Sequence, residues 1–335
     1  MGRGVMKETE PIRVLSNVRS FKVANSNVIE NHYLDSVASY LGTFWSLLRV
    51  ILASQYDVIF FNCDVTRTMM AGLLLTVFPF KKCKLISADP VLRVPQNRWR
   101  GISSVIKRQL LKRVDSFILF HKDFSSYTKW FGIDSRRVIY VPFKVNSLDF
   151  IQKQPTQEGE YIFTGGVSLR DWETLAAAMS GVDIPLWIVT KELTADRFRR
   201  LFTDHTRWIQ DDGTGESWIR FISGAKFVVL PIARESAAAS GISTYLSAMA
   251  LRKCVIISEG PATRGILTDG REAIIVPSGD PDALRTAILR VNADQNLRKQ
   301  IAEGGYKYAM SCGDTSRLYQ DYVDSICRIA GVRKN

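Results

Sequence analysis

Two α/β domains, each built on a parallel sheet, follow from three features of the sequence. Short apolar runs alternate with longer helical ones. That alternation lapses once, near the middle. The length, 335 residues, suits two domains at about 150 residues each. Strands that are apolar nearly throughout are those covered on both faces, and helices between them are the crossovers a parallel sheet requires.

In chain order, the first set of strands is expected at 12–16, 56–61, 83–87, 116–120 and 137–141. Each is short, β-branched or aromatic, and apolar. Helical runs at 40–54 and 98–114 lie between them. Polar residues with Pro155 and Gly159 mark a linker over 151–160. The rhythm restarts with strands at 161–164, 186–190, 227–231, 254–258 and 273–277. Helices are expected at 171–180, 194–202, 215–222, 241–251, 281–292 and 295–310. A last amphipathic helix, 314–330, stops at Gly331. The predicted organisation is therefore 1–150, the linker 151–160, 161–312, and a C-terminal helix within 313–335 that packs back toward the first domain. Two such domains would face one another across a cleft, the usual place for a ligand.

Composition narrows the class. Hydrophobic residues are 46% and charged residues 23%, which excludes a disordered chain. Five scattered cysteines with no Cys-x-x-Cys pair fit a reducing compartment. The N-terminus has no apolar signal region, and the most apolar run, 69–80, is too short to span a bilayer. The net charge of +12 is uneven: residues 1–150 carry +11 and residues 151–335 carry +1. Within 81–114 there are ten Lys or Arg and one acid, Asp89. An anionic partner for the first domain alone is the implication.

Several chemistries lack their signatures. No Gly-x-Gly-x-x-Gly follows a strand, and there is no P-loop, no Gly-x-Ser-x-Gly elbow, and no His-x-x-x-His. The most informative stretch is 240–280. Ser240 and Gly241 open a helix directly after the strand ending Leu230-Pro231. The free N–H groups of Gly241, Ile242 and Ser243 and the positive helix end would suit a diphosphate. Ser240, Ser243 and Thr244 add hydroxyls. The plain alternative is a simple N-capped helix.

This stretch resembles the donor half of GT-B glycosyltransferases, most of all glycosyltransferase family four. Ala248-Met249-Ala250, Val255-Ile256, Asp269-Gly270, Ile275-Val276-Pro277 and Gly279-Asp280 keep the order and spacing of that family's common run. Phe163-Thr-Gly-Gly-Val-Ser-Leu-Arg-Asp-Trp is similar to the opening of the same domain. The resemblance covers about 160–325 and is weaker over 1–150. It implies two Rossmann-like domains facing a cleft, with 161–312 binding a nucleotide sugar and 1–150 binding the acceptor. It further implies sugar transfer with retention of configuration, and neither cofactor nor metal. The chain departs from the family at two glutamates spaced Glu-x7-Glu, where it has Ala239 and Ser247. Glu235 is the nearest substitute, and Ser247 is left to reach the ribose.

On the donor side, Gly165 and Gly166 would let backbone approach the phosphates. Arg170, expected one turn into the next helix, and Lys191 are the candidate cations. The alternative for Arg170 is a surface residue paired with Asp171 or Glu173. On the acceptor side, Asp89 ends a strand and is the candidate base or acceptor-binding carboxylate; the alternative is a turn-initiating Asp before Pro90. His121, at another strand end, completes the catalytic candidates.

The segment 98–114 reads as a basic amphipathic helix. Trp99, Ile102, Val105, Ile106 and Leu110 recur at helical spacing, with Arg98, Arg100, Lys107, Arg108 and Lys112 largely between them. It is expected to meet an anionic membrane surface and a saccharide or lipid-linked acceptor; an ordinary sheet-packed helix is the alternative. Nucleic acid is not expected, for want of a reading helix or stacking platform. The expected function is sugar transfer in polysaccharide or glycolipid synthesis by a cytoplasmic protein peripheral to the inner face of the cell membrane. A degenerate, non-catalytic relative binding a nucleotide, membrane or partner is the alternative, and a sugar-nucleotide epimerase is a third.

Overall fold

A computed structural model describes residues 10–21, 28–35, 39–80, 82–92, 95, 98–155, 157–202, 205–234 and 238–331. The chain divides into two compact units. One comprises Met1–Leu119, Ser125–Val141 and Leu318–Asn335; the other comprises Phe120–Phe124 and Pro142–Arg317.

The first unit is a six-stranded parallel sheet. Its elements are β1 (Ile12–Ser16), β2 (Ile29–Tyr33), α1 (Tyr40–Ala53), β3 (Val58–Asn62), α2 (Val65–Val77), β4 (Lys84–Ala88), α3 (Arg98–Leu111), β5 (Ser116–Leu119), α4 (Ser125–Phe131) and β6 (Val138–Tyr140). The strand order is β2-β1-β3-β4-β5-β6. From β2 onward every crossover runs in one direction, so right-handed connections place α1 to α4 on one face. The other face receives the last helix: Phe60 of β3 packs edge-on against Phe21 and tilted against Tyr322. Tyr322 also donates a 3.0 Å hydrogen bond to Asn62 Oδ1. The central strands are buried on both sides, as their unbroken apolar runs require.

The second unit begins with α5 (Leu148–Ile151). It continues through β7 (Ile162–Gly165), α6 (Trp172–Met179), β8 (Leu186–Val189), α7 (Ala195–Leu201), β9 (Thr206–Ile209) and α8 (Gly215–Ser223). Then follow β10 (Phe227–Leu230), α9 (Ile242–Ala250), β11 (Val255–Ser258), β12 (Ile274–Val276), α10 (Pro281–Ala293) and α11 (Gln295–Cys312). The last helix, α12 (Thr315–Ala330), passes into the first unit at Leu318. All strands are parallel in the order β12-β11-β10-β7-β8-β9. Ile162, Trp172, Ile188, Phe227, Val229, Ile256 and Ile288 sit in one continuous core.

Helix starts follow the capping chemistry. Asp64, Asp171, Thr194, Asp280 and Asp294 each accept from the N–H three residues on. The predicted linker is tied to the second unit. Lys253 is buried and donates to Gln157 O and Ala225 O, each at 2.8 Å, and Arg298 pairs with Glu158 at 2.9 Å. Two strands went unpredicted, β2 and β9. Both lie at sheet edges, carry polar residues and are only half-buried, so the apolar signature is absent.

Candidate active site

In the second sheet the strand order reverses between β7 and β10. Ligands of doubly wound sheets bind outside the carboxyl ends of the strands at such a point. The chain places there the end of β7, the loop 166–171, and the segment that enters α9.

Gly165 ends β7. A Cβ on it would stand 2.5 Å from Val189 O and 2.8 Å from the Trp218 ring, so backbone packing alone requires glycine. Gly166 has φ +113°, and a Cβ there would meet the Arg170 guanidinium. Both glycines therefore make room for neighbours. Arg170 is not on a helix as expected. It lies in the loop, two residues before α6, because Asp171 caps that helix through Thr174 N. Its side chain is 7% exposed. Nε donates to Gly165 O at 2.8 Å. Nη1 donates to Ser168 O at 2.8 Å and to Ser240 Oγ at 2.9 Å. Nη2 reaches Thr244 Oγ1 at 3.4 Å. Asp171 and Glu173 are engaged elsewhere, the first as the cap and the second with Arg197 at 2.7 Å. Burial pulls the Arg170 pKa down to about 10, so it keeps its charge at neutral pH.

Ser240 Oγ donates to Ser168 O, which pins the loop before α9. Gly241 caps α9 with φ +93°, a left-handed conformation that L side chains rarely adopt. The first intrahelical bond runs from Tyr245 N to Gly241 O, leaving the N–H groups of Ile242, Ser243 and Thr244 outside the helix ladder. Among the described residues, every hydrogen-bond partner of Arg170 is neutral. A buried cation thus stands beside an N-terminal helix end, and both favour an anion.

Two neighbours of this loop carry no signal in the sequence. Asn146 Nδ2 donates to Ser243 Oγ at 2.7 Å, and Lys144 Nζ donates to Asn146 Oδ1 at 2.6 Å. A second cation is therefore two hydrogen bonds from the helix entrance. The Asn146–Ser243 contact spans 97 residues of sequence. Ser247 does not take the place expected of it: it is 1% exposed and donates back to Ser243 O within the helix. Lys191 is exposed at the carboxyl end of β8, next to β7. Glu235 lies outside the described residues. His121 is buried, with Nδ1 2.9 Å from Asp123 O, and burial lowers its pKa, keeping the ring neutral. Asp269 of the Asp-Gly pair accepts from Ile275 N at 2.8 Å and so shapes a turn. Beside it, at the carboxyl ends of β11 and β12, is an open pocket of about 310 Å³ whose walls include Glu259, Arg264 and Leu267.

Asp89 belongs to the first unit. It follows β4 with φ +43°, while Cys63, after the neighbouring β3, has φ +54°. Two strained non-glycine residues side by side are a mark of functional sites. The Cys63 thiol donates to Asp89 Oδ2 at 3.8 Å. Desolvation raises the Asp89 pKa to about 6 against that hydrogen bond. Between β1 and β3, where this sheet reverses, Asn17 and Asn62 exchange two hydrogen bonds, at 2.9 and 2.8 Å. Of the basic residues on α3, the Arg98 and Arg100 side chains lie outside the description. Arg108 and Lys112 are exposed and Lys107 is half-buried. Among the described residues there is no group of three or more His, Cys, Asp or Glu placed to hold a metal.

Two α/β units, each on a six-stranded parallel sheet, are the architecture of the GT-B glycosyltransferases. Residues 161–294 match the family model described as "Glycosyl transferases group 1". None of the curated protein sequences matches the chain. Among solved structures, the chain is similar to a glycosyltransferase from Rickettsia africae, with a TM-score of 0.67 and 12% identity over 96% of this chain and 99% of that one. Anabaena HepE in complex with UDP gives 0.68 and 11% over 95% and 100%. Sucrose-phosphate synthase from Thermosynechococcus elongatus gives 0.66 and 15% over 92% and 85%. Residues 161–294 match the group 1 glycosyltransferase domain, and the chain shares the two-domain GT-B fold of these structures.

Proposed function

We propose that the chain moves a sugar from a nucleoside-diphosphate donor to a saccharide or lipid-linked acceptor, with retention of configuration. The setting we infer is polysaccharide or glycolipid synthesis at the cytoplasmic face of the cell membrane. The observation that carries the donor side is Arg170, a buried cation whose hydrogen bonds all go to neutral groups, beside the entrance of α9. The Anabaena relative, solved with UDP, supports a uridine diphosphate donor as the first to test.

In this reading the N–H groups of Ile242, Ser243 and Thr244 hold the diphosphate. Arg170 offsets its charge, and Lys144, held by Asn146 beside Ser243, adds a second cation near the helix entrance. As the glycosidic bond breaks, negative charge grows on the leaving diphosphate, and these groups are already aimed at it. Removing one such donor typically costs about 10²–10³ in rate. Asp89 binds or deprotonates the acceptor hydroxyl; with a pKa near 6 it is mostly ionised at pH 7.5 and retains basicity.

The non-catalytic alternative is favoured by Ala239 and Ser247, which occupy the positions of the family's two glutamates. Purified protein incubated with UDP-sugars and extracted lipid-linked saccharides decides between them. Glycosylated acceptor, lost in Arg170→Met, supports transfer. UDP binding without any turnover supports the alternative, and turnover of the donor with no acceptor present indicates epimerisation or hydrolysis.

A further inference from the structure

The apolar surface of the molecule is distributed as unevenly as its charge. Among the described residues fourteen large hydrophobic side chains are exposed, and all but Val167 and Leu289 lie in the first unit. Most of them stand on α1, α2 and α3 or just after α2. These helices lie side by side, α1 against α2 and α2 against α3, on the sheet face opposite α12. Their outward sides therefore form one surface. Tyr40, Leu41 and Trp45 are exposed on α1, Val77 and Phe80 at the end of α2, and Val105 and Ile106 on α3. Phe80 is 69% exposed and Tyr40 75%. Singly exposed hydrophobics are ordinary, but a shared patch across three neighbouring helices is not.

The charge on the same elements has one sign. Residues 40–53, 65–77 and 98–111 contain no Asp or Glu, while Arg49, Lys107 and Arg108 lie on them and Lys112 and Arg113 follow directly. The α1 entrance, with Tyr40 and Leu41, is at the carboxyl end of the sheet, the end that also carries Asp89. Aromatic and aliphatic side chains flanked by cations, with no anion among them, are complementary to an anionic lipid interface: rings and aliphatics enter the headgroup region and the bases meet the phosphates.

We infer that the outer surface of α1, α2 and α3 is a membrane-docking face, which inserts Tyr40, Leu41, Trp45 and Phe80 into an anionic bilayer and holds it with the bases of α3. The inference deepens the membrane-side part of the proposal above. It moves the anchoring contact from α3, where the sequence placed it, to α1 and the end of α2. At its Tyr40 and Leu41 end, that face adjoins the end of the first sheet that carries Asp89, where a lipid-linked acceptor would be presented.

The full chain is tested by co-sedimentation with phosphatidylcholine vesicles, with and without about 30% phosphatidylglycerol. Wild-type protein is expected to pellet with the anionic vesicles. The triple variant Leu41→Ser, Trp45→Ser, Phe80→Ser should lose about tenfold or more in partitioning, with an unchanged urea midpoint because all three positions are exposed. Lys107→Gln, Arg108→Gln, Lys112→Gln should weaken binding and remove its salt dependence. Brominated lipids should quench the wild-type tryptophan fluorescence more than that of Trp45→Phe. Wild-type protein remaining in the supernatant overturns the inference. So does undiminished binding by the serine variant. An oligomer that becomes monomeric in the serine variant while vesicle binding persists would make the face an interface between copies, and also overturns it. UDP binding measured on the same variants without lipid separates this outcome from failure of the donor-site reading.

Discussion

Asp89→Asn is expected to stabilise the protein at neutral pH and not at acid pH. The carboxyl is pushed up to about 6 by burial, from 3.8 in an unperturbed chain. Between those values the folded state binds the proton more tightly than the unfolded state. The contribution of Asp89 to stability is therefore most favourable below about pH 4, falls as the pH rises to about 6, and levels off above it. Two pKa units correspond to about 3 kcal/mol. Asp89 is half-buried and its surroundings admit water, so a gain of about 1–3 kcal/mol is expected at pH 7.5. Asparagine tolerates the left-handed backbone as well as aspartate does, and the Cys63 thiol can still donate to its oxygen. Urea unfolding at pH 4.0 and pH 7.5 measures the effect, with the gain confined to the higher pH. An equal change at both values would show that ionisation is not the cause. A loss at pH 7.5 would show that the charge is stabilised by a partner, and the reading of Asp89 as a strained, desolvated base would fail. Sugar transfer should fall by about 10² or more in the stabilised variant, as for loss of a general base.

Three further outcomes follow from the second unit. Gly166→Ala should cost about 1–3 kcal/mol in urea unfolding, because an L side chain at φ +113° is strained and meets the Arg170 guanidinium. The same change should weaken UDP binding. Asn146→Ala removes the bridge between Lys144 and Ser243, and should raise the donor KM by about threefold to tenfold with little effect on stability, as one hydrogen bond is worth about 1 kcal/mol. Gly241→Asp places a left-handed L residue and a negative charge at the entrance of α9, and should abolish donor binding in calorimetry while the second unit stays folded by near-UV circular dichroism.

The sequence made most of this legible because the central strands are doubly buried. Runs such as Phe227-Val-Val-Leu and Val58-Ile-Phe-Phe can be little else in an α/β chain. The edge strands β2 and β9 carry Glu30, His32 and Arg207, and their pairing comes from one neighbour rather than from burial. The position of Arg170 was readable in principle: Asp171 immediately before the apolar Trp172 is an N-cap signature that leaves Arg170 in the loop. Its partners were not readable, since Ser240 and Thr244 are 70 and 74 residues away. The same holds for Lys144 and Asn146, in a segment whose lapse of pattern gave no reason to look for a site. On α3, helical spacing marked Val105 and Ile106 as an apolar stripe but not which way it faces; both are exposed.

The central claim is that a buried Arg170 and the entrance of α9 bind the diphosphate of a nucleotide sugar. Calorimetric titration of UDP, with GDP and ADP beside it, into wild-type and Arg170→Met protein at pH 7.5 tests it most directly. Saturable binding of one nucleotide to the wild type is expected, weakened by about tenfold to a hundredfold in the variant, as for loss of a charge-assisted hydrogen bond. Absence of binding to the wild type by all three nucleotides, or equal affinity in a folded Arg170→Met protein, would contradict it.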